Sequence, residues 1–220
     1  MNLDYNKKYI LENDAVLIRP LELADKDLLL EYSINEPEIW RFNANGGGGK
    51  ENLDKYILTA IEQHKNKREY PFIVFDKLNN KYIGSTRFYN ISNEFKRLEI
   101  GSTWYGEEFQ GTGVNKNCKY LLLEFAFDYL QMERVGFAAN AKNERSINAM
   151  KSIGCSVEGI LRHFSRDADG NVTDVITLSI LKKEWEQDLK GKLKQQIKSQ
   201  ASPVGPGQKR KTPTPPGTGA

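Results

Sequence analysis

The chain has 220 residues, with 32 Lys+Arg against 29 Asp+Glu, 39% hydrophobic residues, 10% aromatics, two Cys and two His. These values exclude a fibrous or wholly disordered protein, and the length admits one domain of roughly 150–200 residues or at most two small ones. No apolar run approaches the about 18 residues of a membrane span, because the densest patch, Leu121 to Phe127, is interrupted by Glu124. The segment from Met1 to Lys8 lacks the apolar stretch of a signal peptide, and Cys118 and Cys155 are too few for a disulfide framework. A soluble, cytoplasmic protein with no membrane partner is expected.

The net charge of +3 is unevenly spread: seven basic and no acidic residues lie from Leu189 onward, which leaves residues 1–188 at −4. The basic character therefore belongs to the C-terminal segment, and the absence of a basic body argues against a nucleic-acid partner. Five of the eight prolines fall in the last twenty residues, among Gly, Thr and Lys. Such a composition buries too little apolar surface to offset its ordering entropy. The expected division is a domain over 1–188 and a largely disordered tail over 189–220, in which Lys209-Arg210-Lys211 is a weak anionic-surface contact at most.

In chain order, Ala15 to Arg19 is a β-branched run ended by Pro20 and predicts a strand. Residues 24–34 and 51–64 carry apolar side chains at helical spacing, as in Leu53, Ile57, Leu58 and Ile61. Gly46 to Gly49, between them, predicts a mobile loop or hinge. Phe72 to Phe75, Lys81 to Ile91 and Lys96 to Tyr105 predict an antiparallel meander. Next comes a strong helix whose stripe runs Cys118, Leu121, Leu122, Phe125, Ala126 and Tyr129. Arg134 to Asn140 is a strand that must return parallel through that crossover. A short helix over 146–153 closes at Gly154. A hairpin over 157–164 and 172–181 follows, then a poorly amphipathic helix over 183–197. The order β-α-α-β-β-β-α-β-α-β-β is that of an α+β (mixed α/β) fold with one central sheet.

The turn Phe109-Gln110-Gly111-Thr112-Gly113-Val114-Asn115 opens the long helix. Glycines there let backbone amides approach an anion, and the first helical N–H groups have no intrahelical partner. Lys116, one turn in, could add charge. There is no G-x-x-x-x-G-K-[ST], and a dinucleotide fingerprint fails where its third glycine would be Lys116.

This turn and the element order resemble the GCN5-related N-acetyltransferase superfamily, and more closely its RimJ/RimL-like branch. The resemblance rests on [Q/R]-x-x-G-x-[G/A], which runs here from Gln110 through Gly111, Thr112, Gly113 and Val114 to Asn115, where Gly or Ala is usual. It rests also on Asn143, Ser146 and Gly154 in the register of the family's N-x-x-S helix, and on the strand Leu98-Glu99-Ile100-Gly101 before the turn. It covers about residues 14–183. It implies a single domain with a central, mostly antiparallel sheet of about seven strands flanked by helices, splayed between the fourth and fifth strands. It implies acetyl-CoA as co-substrate, no metal, and transfer of the acetyl group to an amine, which is a small molecule or a protein N-terminus.

By the same resemblance, Thr103-Trp104-Tyr105 would hold the acetyl carbonyl and pantetheine arm. Residues Gln110 through Lys116 would cradle the diphosphate, and Asn143 with Ser146 would bind pantetheine. The attacking amine must be neutral, so a base is needed, and Glu99 is the candidate. The bland alternative is a strand carboxylate paired with Arg87 or Arg97. Family members often carry a Tyr where this chain has Met150, so the thiolate's proton donor is unassigned. Trp40, Arg87 and Tyr89 are candidate acceptor-binding residues. Cys118 reads as core rather than nucleophile, His163 as a strand histidine and His64 as exposed. Two other readings stand beside catalysis: a degenerate member that binds CoA or a partner without turnover, and a nucleic-acid binder acting through its tail. Exposed sheet edges would allow a homodimer.

Overall fold

The computed structural model describes residues 2–43, 46–167 and 169–201. Its strands are β1 (Leu11–Glu12), β2 (Val16–Pro20), β3 (Tyr70–Asp76), β4 (Lys81–Ser92), β5 (Arg97–Tyr105), β6 (Arg134–Asn140), β7 (Ser156–Arg166) and β8 (Val172–Leu181). The helices are α1 (Lys26–Asn35), α2 (Lys50–Lys65), α3 (Val114–Glu124), α4 (Glu144–Ser152), the single turn α5 (Lys182–Glu184) and α6 (Lys190–Ala201). One sheet of eight strands runs in the order β1-β2-β3-β4-β5-β6-β8-β7. The strand beyond the seven expected is β1, a two-residue pairing with Ile18 and Leu17 too short to leave a periodic signal.

The apolar run of β3 is an interior strand of this sheet, between β2 and β4, and Phe72, Ile73 and Val74 are fully buried. A strand covered on both faces has no polar side to alternate with, which is why it reads as a continuous run. Leu53, Tyr56, Ile57 and Ala60 on α2 cover one face, and α3 covers the other together with Phe125, whose ring stacks on Phe88 at 6.0 Å. Every neighbouring pair is antiparallel except β5 with β6, the parallel pair that the α3 crossover requires. Counting β1, the splay falls between the fifth and sixth strands.

Two segments differ from expectation. The glycine run is packed rather than free: the Ser33 hydroxyl donates to the carbonyls of Gly47 and Gly49, and Gly49 N donates to Ser33 O at 2.8 Å. Gly47 is buried against Trp40, where any Cβ would collide with the indole ring. Gly47 serves close approach, while Gly46 (φ +43°) and Gly49 (φ +81°) serve the left-handed backbone of the turn. Ordered chain also extends past residue 188. Trp185 is fully buried against Phe127, Leu193 is 2% exposed, and α6 packs on α3. The final helix expected over 183–197 is thus present, and its part from Lys190 to Ala201 lies inside the stretch that the domain division assigned to the tail. Lys209-Arg210-Lys211 lies outside the described residues.

Candidate active site

After Glu99 the two parallel strands part. Their pairing covers only Arg97, Leu98 and Glu99 against Arg134, Val135 and Gly136, after which β6 keeps β8 as its partner. Ser102 sits at φ +46°, where the β4–β5 register also shifts, and beyond it Trp104 and Tyr105 stay paired with β4 while β6 is no longer a partner. The backbone of β5 from Ile100 to Tyr105 is left without a β6 partner. A cavity of about 570 Å³ opens along this edge, with Ile100–Tyr105 on one wall and Phe137–Asn140 on the other. Buried backbone donors and acceptors need partners, and a ligand with amide groups would supply them here.

At the end near Tyr105 the wall is made by Gln110, Gly111, Asn115, Asn143, Arg145 and Ser146. Gln110 is held from both sides: its amide donates to Tyr105 O at 2.9 Å, and Arg145 donates to its carbonyl. Gly111 (φ +74°) and Gly113 (φ +97°) adopt the left-handed backbone that glycine allows, and a Cβ at Gly111 would meet only open space. Gly113 caps α3 and accepts from the Asn117 backbone amide at 3.1 Å, which leaves the amides of the first turn directed outward. Thr112 turns its hydroxyl back to Phe109 O at 2.7 Å. No carboxylate lines this end, so the donor set fits an anionic diphosphate. Asn143 caps α4, its side chain accepting from Ser146 N at 3.1 Å, and both residues line the cavity.

Glu99, Tyr89 and Asn90 line the other end. Glu99 Oε1 accepts from Asn90 Nδ2 at 3.1 Å, and no ion pair joins it to Arg87 or Arg97 among the described residues. Room for its side chain comes from Gly136 on the facing strand, where a Cβ would stand 2.9 Å from Glu99 Cγ. Burial, then the neighbouring Glu99 charge, hold the Tyr89 hydroxyl well above its ordinary pKa, so it stays protonated. Met150 lines the cavity and brings no proton donor.

Several expected residues are turned elsewhere. Lys116 reaches Gln196 on α6 at 3.0 Å, and Val114 is buried. Trp40 is 3% exposed, packed on Trp104 at 4.6 Å and on Tyr56 at 5.5 Å. Arg87 is buried in an ion pair with Glu69 at 2.7 Å, its guanidinium over the Tyr56 ring. None of these four lines the cavity. His163 is exposed and uses its backbone amide on Asp174, while His64 is half-buried edge-on against Tyr70. Cys118 is core, its thiol pushed up to about 12 by burial.

One residue on the wall has no signature in the sequence motifs. Lys119 is 5% exposed, and its Nζ donates to Thr103 Oγ1 at 2.7 Å from beneath the splay. Burial lowers its pKa to about 8. The helix periodicity marks Cys118 and Leu122 as the inner stripe, yet Asn117 through Leu123 are all buried, because α6 and Trp185 cover the outer side of α3. A second packed layer, visible as the apolar residues Trp185, Leu189 and Leu193, is the signal that would have found it.

A glycine-capped crossover helix thus lies beside a splayed parallel strand pair, with the cavity between them. The family model "Acetyltransferase (GNAT) domain" matches residues 15–156, and the chain belongs to that family. It is an acyltransferase. Over 181 residues it is 30% identical to the Bacillus subtilis (strain 168) protein named "Putative ribosomal N-acetyltransferase YdaF", covering 79% of this chain and 95% of that one. The GCN5-related N-acetyltransferase of Brucella melitensis superposes with a TM-score of 0.77 at 23% identity, over 88% of this chain and 85% of that one. RimJ of Mycobacterium smegmatis, solved with CoA-disulfide, superposes with a TM-score of 0.71 at 16% identity, over 86% and 93%. These two structures share the fold. Among the described residues no helix is long and apolar enough to cross a membrane.

Proposed function

We propose that this chain transfers the acetyl group of acetyl-CoA to a primary amine, by direct attack within a ternary complex. The observation that carries the reading is the single cavity running from the glycine turn to Glu99 along the unpaired edge of β5. Gln110, Gly111, Asn115 and the first-turn amides of α3 would take the diphosphate, and the open backbone of Thr103, Trp104 and Tyr105 would take the pantetheine amides and the acetyl carbonyl. Acetyl-CoA supplies an activated thioester carbon. Backbone N–H groups fixed beside that carbonyl favour the charge that develops on its oxygen. Glu99, at the acceptor end and in no ion pair among the described residues, accepts the proton of the incoming ammonium directly or through water. The name of YdaF, a putative ribosomal N-acetyltransferase, favours an amine on a protein, such as its N-terminus, over a small molecule, and the exposed apolar side chains of Phe164 and Leu161 on the cavity wall would lie against an extended chain end.

The test is calorimetric titration with acetyl-CoA, followed by CoA release with N-terminal peptides and small amines as acceptors. Binding near micromolar strength, about −8 kcal/mol, is expected. A chain that fails to bind acetyl-CoA at all refutes the reading. One that binds but never releases CoA is a non-catalytic member of the family.

A further inference from the structure

Lys119 is not accounted for by the reaction as written. A buried ammonium is costly unless it is paired, and Lys119 has no carboxylate in reach among the described residues. Around it stand the Thr103 hydroxyl on β5 at 2.7 Å, the Phe137 ring on β6 at 6.0 Å, Cys118 on its own helix, and Cys155 beyond α4. Both thiols are pushed up to about 12 by burial and carry no charge to offset it. Thr103 is in turn engaged with Thr86 Oγ1 at 2.8 Å. The nitrogen therefore sits between the parting strands, on the wall of the cavity, with a hydroxyl as its one hydrogen-bond partner among the described residues.

We infer that Lys119 is an internal acyl acceptor, a self-acetylation site whose nitrogen takes the acetyl group from a thioester seated beside Thr103. This rests on the proposed reading of the cavity as the acetyl-CoA site. The neutral Nζ attacks the carbonyl carbon; the C–N bond forms, the C–S bond breaks, and the departing sulfur takes the proton that the nitrogen loses. Nothing is oxidised or reduced. With a pKa of about 8, roughly one amine in ten is neutral at pH 7, and the cavity holds it at the reacting carbon without a diffusional encounter. The product amide is uncharged, so acetylation removes the buried ammonium together with its desolvation penalty. An acetyl-lysine at this point also fills the acyl position. The modified chain is closed to further donor, and modification stops at one group per chain.

The experiment incubates the full chain with acetyl-CoA, follows its intact mass and maps the modified peptide, with calorimetry on the same sample. Expected are one added acetyl group at Lys119, a rate that saturates with acetyl-CoA and is suppressed by CoA, and a rise of about tenfold per pH unit below pH 8. Acetyl phosphate at the same concentration should label exposed lysines instead. Lys119→Met removes the labelled peptide's modification; the mapping on the unaltered chain stands even if that variant folds poorly. Acetyl-CoA that binds by calorimetry while Lys119 stays unmodified overturns the inference and leaves the cofactor site standing. Acetyl-CoA that does not bind overturns both.

Discussion

The two sides of the sheet handle polarity in opposite ways. From β2 to β4 each strand is paired along most of its length, and the buried cation on that side, Arg87, is matched by Glu69 at 2.7 Å. At the seam between β5 and β6, pairing stops after three residues, and the buried cation there, Lys119, has a hydroxyl partner and no anion. The paired side balances its buried charge and leaves no gap between its strands, although Nε and Nη2 of Arg87 find no hydrogen-bond partner among the described residues. The seam leaves backbone groups and one amine with unused bonding capacity, and the cavity opens there. The comparison teaches where to place chemistry on this scaffold: at the point where the hydrogen-bond ladder runs out.

The largest effect that would break this comparison is expected at Glu99. Glu99→Gln keeps the shape and loses the proton acceptor, so turnover should fall about 10²–10⁴-fold, with acetyl-CoA affinity by calorimetry unaltered. Full activity in this variant would remove Glu99 from the role of base. On the paired side, Phe72→Ala should cost about 3–5 kcal/mol in denaturant unfolding, because the fully buried ring leaves a cavity that the flanking strands cannot close. Glu69→Gln should cost about 2 kcal/mol, since Arg87 would stay buried without its counter-charge, tempered by the 23% exposure of the Glu69 side chain.

The smallest effect should have the opposite sign. Lys119→Met removes a buried charge that nothing balances and should stabilise the fold by on the order of 1–2 kcal/mol at pH 7. The sign follows from proton counts. Burial lowers the folded-state pKa from 10.5 to about 8, so between these values the unfolded chain holds more protons. Stability of the unaltered chain therefore rises with pH across that window, and the advantage of the variant should shrink there. Unfolding midpoints measured at pH 7 and pH 10 check this directly. An advantage that does not change with pH would mean that packing, rather than charge, sets it.

The candidate site was legible in part because its signals are local. The glycines at 111 and 113, the helix they open and the parallel return at Arg134 are consequences of backbone geometry within a few residues, and they appear where the sequence puts them. Asn143 and Ser146 are one capping turn and arrive together. Glu99 could be placed on the strand before the turn, but its freedom from Arg87 depends on Glu69, thirty residues away in the chain.

By itself, then, the sequence determined the fold class, the crossover, the glycine turn that opens its helix and the strand that carries Glu99, because periodicity and glycine placement act over a single element. Tertiary structure alone decided which side chains face the cavity. Trp40 was drawn into an aromatic cluster with Trp104 and Tyr56, the glycine run was packed against it, and α6 closed over α3 so that Lys119 could point only into the splay. The direction of a long side chain is set by what covers its helix from outside, and that covering comes from segments far along the chain.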